Sequence, residues 1–83
     1  MPTIAVIDGI VILMYWNDHA PPHFQVRKDG MKGKFEIATG QMLSGQLDRR
    51  TQRKVQLWTS LNQELLTQAW NNCQTTGKTE TTK

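Results

Sequence analysis

The chain has 83 residues, 37% of them hydrophobic and 20% charged, with a formal net charge of +3; that is room for one hydrophobic core and none for a second domain. The single cysteine, Cys73, excludes an internal disulfide, and a secreted domain this small would ordinarily carry several, so a reducing, bacterial-type cytosolic setting is expected. The longest apolar run, Ile10 to Trp16, falls far short of the roughly 20 residues that cross a bilayer as a helix, and the start lacks the basic region and cleavage site of a signal peptide, so neither membrane insertion nor export is expected.

Thr3 to Ile7 is short and apolar, and Asp8-Gly9 after it is a signal for a tight hairpin turn. Residues 10 to 16 are apolar on both strand faces and rich in β-branched and aromatic types, which predicts a central strand covered on both sides. Pro21-Pro22 donates no backbone hydrogen bond and pushes Ala20 toward an extended conformation, so the chain leaves the sheet there in a stiff loop. From His23 the pattern alternates: His23, Gln25 and Arg27 share one face, and Phe24, Val26 and Lys28 share the other, up to the turn signal Asp29-Gly30. Met31, Gly33, Phe35 and Ile37 then alternate with Lys32, Lys34 and Glu36, one row facing the core and one facing water. Thr39-Gly40 closes that strand, and Gln41 to Ser44 is a candidate for a last short strand ending before Gly45.

Asp48 is a candidate N-cap, and Val55, Trp58, Leu61, Leu65, Ala69 and Cys73 follow at helical spacing, with Leu66 and Trp70 beside them. Leu57 and Leu61 sit off the main stripe, Ser60 to Gln63 has capping-box spacing and Asn62 is another candidate cap, which favours two helices broken near residues 60 to 62 over one kinked helix. The expected fold is therefore α+β: an antiparallel β-meander of about four strands, then a C-terminal pair of helices, forming a single domain over residues 1–74. Residues 75–83 hold no apolar side chain with which to dock and are expected to be a disordered tail.

Charge is concentrated in the middle of the chain. Arg27, Lys28, Lys32, Lys34, Arg49, Arg50, Arg53 and Lys54 stand against Asp29, Glu36 and Asp48, so this stretch is +5 and the remainder −2. Such a zone suits an acidic partner, whether RNA, DNA or protein, and it equally serves solubility. Arg49, Arg50, Arg53 and Lys54 follow the candidate cap, where cations oppose the helix dipole at a cost of a few tenths of a kcal/mol each. Phosphate held by arginine donors at a helix N-terminus would offset that cost. Lys32 and Lys34 extend this patch if the fold brings them near.

The segment Asn17-Asp18-His19-Ala20-Pro21-Pro22-His23-Phe24 holds the densest chemistry. Asp18, His19 and His23 have the residue types for general acid–base work on a phosphodiester, and together with Asn17 they form a candidate binding surface. Two imidazoles and a carboxylate also suit a transition metal, although the spacing is not that of any specific metal motif. Against these stands a structural reading, in which Asn and Asp cap turns and the histidines are hydrogen-bonded in place. Trp58 and Trp70 lie on the helical apolar stripe and read as core, as do Met14, Met31, Met42 and the Cys73 thiol. No Gly-rich phosphate loop, paired-cysteine motif or internal repeat is present, and no cofactor is expected.

Met1-Pro-Thr-Ile4, Gly9-Ile-Val and above all Met14-Tyr-Trp-Asn-Asp-His-Ala-Pro-Pro-His-Phe24, with the later Leu and Trp helical pattern, resemble the bacterial domain-of-unknown-function family 4160 over about residues 1 to 74. That resemblance implies a small cytosolic protein encoded beside another small protein in an arrangement like a toxin–antitoxin pair, hence a partner protein and, as a further candidate, RNA or DNA. The sequence departs from the family pattern at Gln25, where a further histidine is common, and this weakens a three-histidine metal or catalytic site. The expected function is thus a binding component of such a pair, more a non-enzyme than an enzyme. The alternatives are a small metal-independent ribonuclease using His19 and His23, and a metal-binding module.

Overall fold

The computed structural model describes residues 3–15 and 19–82, with side chains described to Cys73. Five strands run in the order β1 (Thr3–Ile7), β2 (Ile10–Leu13), β3 (His23–Lys28), β4 (Met31–Glu36) and β5 (Met42–Gln46), and two helices follow, α1 (Arg49–Leu61) and α2 (Gln63–Thr82). Each strand pairs antiparallel with the next, giving an open meander in the order β1-β2-β3-β4-β5. The α+β class and the pair of helices agree with the sequence reading.

Two of the connections are two-residue hairpins that the sequence announces. Asp8 and Gly9 have φ of 49° and 77°, and Asp29 and Gly30 have 49° and 80°. Positive φ at both central residues marks the turn whose twist matches that of paired strands, and Asp-Gly satisfies it. These turns set the register: Ile7 faces Ile10, and Lys28 faces Met31. The Ala20–Pro21 peptide, in the connection between β2 and β3, is cis.

One sheet face carries the core. Ile10, Ile12, Phe24, Val26 and Phe35 are fully buried and cluster with Val55 of α1 and Leu66 of α2. Phe24 stacks on Phe35 across the strands at 5.7 Å and meets Trp58 edge-on at 6.1 Å. Because side chains alternate along a strand, Gln25, Arg27, Lys32 and Lys34 stand on the opposite face, away from the helices.

The structure differs from expectation in three places. First, the candidate last strand forms, making five, and β5 runs on through Gly45 to Gln46. Gly45 lies opposite Gly33 at φ 100°, and a Cβ there would run into the Lys32 carbonyl and the Gly33 Cα. The glycine permits a close approach of two strands and so marks continuation, not an end. Second, Ile10 to Trp16 is not one long strand: β2 ends at Leu13, and Trp16 lies outside the described residues. Third, of the leucines placed at helical spacing with Val55, Leu61 and Leu65 are 74% and 50% exposed, which for Leu61 agrees with its place off the main stripe.

That third difference comes from what α1 buries. Its inner face is Thr51, Val55 and Thr59. Two threonines are tolerated there because their hydroxyls bond locally: Thr51 Oγ1 donates to Asp48 Oδ1 at 2.6 Å, and Thr59 Oγ1 to the Val55 carbonyl at 2.7 Å. Leu57 and Leu61 are left on the outside. Asn62 ends α1, its N–H bonding back to the Thr59 carbonyl, while its own carbonyl accepts from Leu66 N–H in α2. The break falls where expected, but Ser60 and Gln63 form no capping box. Ser60 bonds the Leu57 carbonyl, and Gln63 Nε2 donates to the Ile37 and Ala38 carbonyls, tying the start of α2 to the end of β4. With its phase reset, α2 buries Leu66, Trp70 and Cys73. The expected tail, residues 75–83, falls where side chains are not described, and the α2 backbone runs to Thr82.

Candidate functional site

The His-Pro-Pro-His segment separates its two imidazoles by environment. His23, at the start of β3, is only 3% exposed. Its Nδ1 lies 2.7 Å from the Pro21 carbonyl, which can only accept, so Nδ1 carries the proton. Its ring sits 5.2 Å from that of Trp70 on α2, tilted by 51°. His19 is exposed. Both line one shallow pocket with Ala20, Pro21, Lys34, Leu43 and Ser44. Asn17 and Asp18 lie outside the described residues, and among those described no group of three His, Cys, Asp or Glu side chains could hold a metal ion.

The basic residues divide between two surfaces. Asp48 caps α1, its Oδ2 accepting from Thr51 N–H at 3.1 Å. The Thr51 hydroxyl and N–H, with Lys28 nearby, hold the Asp48 carboxyl below its ordinary value of 3.8. Beyond the cap, Arg49, Arg50, Arg53 and Lys54 line an open groove with Leu57. No carboxylate stands in the first turn of α1. Lys54 meets Asp8 at 3.4 Å, an exposed pair of little worth, and among the described residues no carboxylate pairs with Arg49, Arg50 or Arg53.

Arg50, Arg53, Lys54, Leu57 and Leu61 recur at i, i+3, i+4, i+7 and i+11, which is one stripe on the outside of α1. Leu57 is 64% exposed, and Leu65 continues the apolar end at the start of α2. The sequence shows that Leu57 and Leu61 sit off the main apolar stripe; that they continue the basic row along the outside of α1 emerges from the fold.

Lys32 and Lys34 do not extend the α1 patch. They stand on the uncovered sheet face with Arg27, which the sequence reading left out of the site. The signal was available: a two-residue turn at Asp29-Gly30 places Lys28 opposite Met31 and therefore Arg27 opposite Lys32. Cys73 is buried, which pushes its thiol up from the ordinary value, against a role as nucleophile.

Residues 9–71 match the family model described as a domain of unknown function, DUF4160. Neither the curated proteins nor the solved structures provide a match to the chain. Among the described residues no helix is long and apolar enough to cross a membrane.

Proposed function

The chain belongs to the DUF4160 family, and we propose that it is a non-catalytic binding component of a toxin–antitoxin-like pair, docking an acidic partner protein along the outer stripe of α1. The observation that carries this reading is the continuation of three cations, Arg50, Arg53 and Lys54, into leucines that are 64% and 74% exposed. Arg50 and Arg53, which pair with no carboxylate among the described residues, attract an acidic surface and set its orientation. Burying Leu57 and Leu61 supplies a non-directional gain of about 2–4 kcal/mol before the cost of association. A nucleic acid would gain little from the leucines, whereas an amphipathic acidic helix would use both halves of the stripe.

The test is co-expression with the protein encoded by the neighbouring gene, followed by titration of the purified pair. The wild type forms a complex that Leu57→Ser/Leu61→Ser and Arg50→Glu/Arg53→Glu each abolish, with thermal stability retained. Undiminished association of both double variants would sink the proposal.

The pocket shared by His19, His23 and Lys34 favours a second reading, a small ribonuclease with Lys34 steadying a phosphate. On that reading His19→Ala abolishes RNA cleavage in a protein that stays folded. Equal cleavage by wild type and His19→Ala would mark the activity as a contaminant.

A further inference from the structure

The face of the sheet that no helix covers has a cost built into it. Arg27 on β3 and Lys32 on β4 are directly opposed cross-strand partners, and Lys34 stands two residues from Lys32 on the same face, opposite Gln25. Like charges directly opposite each other destabilise an antiparallel pair. On the other side of β4, Lys32 and Lys34 face Gln46 and Ser44 of β5, which bring hydrogen-bonding groups and no compensating charge. Among the described residues Glu36 and Asp29 border this row, and Asp29 lines one groove with Arg27 and Lys32. Glu36, at the far end of the row opposite His23, accepts from the Thr39 hydroxyl at 2.7 Å, and Asp29, in the turn, lies 3.9 Å from Lys28. Arg27 is held over the sheet by a 3.3 Å contact from its guanidinium to the Tyr15 hydroxyl. Lys32 lines each of three shallow grooves that run over this part of the molecule.

We propose that the open face of β3, β4 and β5 binds the phosphodiester backbone of single-stranded RNA, with Arg27, Lys32 and Lys34 on phosphates and Gln25, Ser44 and Gln46 hydrogen-bonding the sugars. Anionic phosphates offset the repulsion between Arg27 and Lys32. The strip is mostly lysine, arginine, amide and hydroxyl groups, with Val11 beside Arg27 and the exposed Leu43 beside Lys34 and Ser44 at its margins; the centres of protein interfaces are depleted in lysine, and polar, strongly positive surfaces are the mark of nucleic-acid contacts. The cations lie on adjacent strands about 4.8 Å apart, a spacing that follows one phosphate backbone and leaves the second strand of a duplex without a cationic partner. Side-chain amides and the serine hydroxyl both donate and accept, as the ribose 2′-hydroxyl does. This surface is separate from the α1 stripe, so the inference stands or falls independently of the proposed protein partner.

The experiment is fluorescence anisotropy of a labelled 12-nucleotide oligouridylate against the full chain, with oligothymidylate and a 12-base-pair RNA duplex as comparison arms. Three phosphate contacts to a single strand predict a log–log salt slope of about −2.1, and so an affinity about 18-fold tighter at 50 mM than at 200 mM salt. Lys32→Gln and Lys34→Gln each weaken binding and flatten the slope by about 0.7, while Arg50→Gln/Arg53→Gln binds as the wild type does. Circular dichroism confirms that each variant is folded. The proposal is overturned by no binding at 50 mM salt, by loss of binding in the α1 variant with none in the sheet variants, or by oligothymidylate or duplex binding as tightly as oligouridylate.

Discussion

Replacing His23 with alanine separates a histidine that builds the loop from one that works at its surface. The buried imidazole donates from Nδ1 to the Pro21 carbonyl at 2.7 Å and packs on Trp70 at 5.2 Å. Removing the donor leaves that carbonyl without its imidazole partner, and losing the ring forfeits an aromatic contact and opens a small void, together about 2–4 kcal/mol. For a domain of this size about 3 kcal/mol lowers Tm by about 15 °C. His23→Asn, whose amide can donate to the same carbonyl, recovers about 1 kcal/mol, or about 5 °C. Differential scanning calorimetry of wild type and both variants reads this directly. A Tm for His23→Ala within about 2 °C of wild type would refute the structural role and return His23 to the list of surface reagents.

Two further outcomes follow from the backbone and from the cap. Gly45→Ala lowers stability by at least about 3 kcal/mol, because both its φ and its contact with β4 oppose a side chain, whereas Gly9→Ala, with nothing within 4 Å, loses only about 1 kcal/mol; urea midpoints of the two variants give the comparison. Asp48 is held below its ordinary value of 3.8 in the folded chain, so its contribution is fully present above that pH and is lost as pH falls through the depressed folded value. Acid titration of stability in wild type and Asp48→Asn checks this: the wild type loses stability over that window more steeply than the variant, and parallel curves would contradict it.

The turns and the caps were legible because their chemistry is local. Asp8-Gly9 and Asp29-Gly30 need φ > 0 at both positions, Asp48 carries the oxygen its helix start needs, and Asn62 stands where α1 stops. What escaped was tertiary. Leu61 and Leu65 fit a helical period as well as Val55 does, and only the local bonding of Thr51 and Thr59 explains why threonines hold the inner face of α1. Gly45 read as an end, since a sequence does not show that another backbone lies against it. Whether His23 was a reagent or a hydrogen-bonded part of the loop stayed open until Trp70, 47 positions further on, covered it. Whether Lys32 and Lys34 join the arginines of α1 depended on which side of the sheet the helices took, a matter settled by the apolar row from Met31 to Ile37.

The separation of the two basic surfaces by the thickness of the sheet has a consequence for assembly. A ligand lying on the bare face and a protein seated on the outside of α1 would meet neither each other nor a shared side chain, so each could bind at full strength with the other in place. Such a chain acts as an adaptor: it holds two molecules together by being between them, and its coupling free energy is close to zero. Competition between the two ligands, or strong cooperativity, would require the sheet itself to change shape, and the paired glycines at Gly33 and Gly45 are where it has least side-chain bulk to resist.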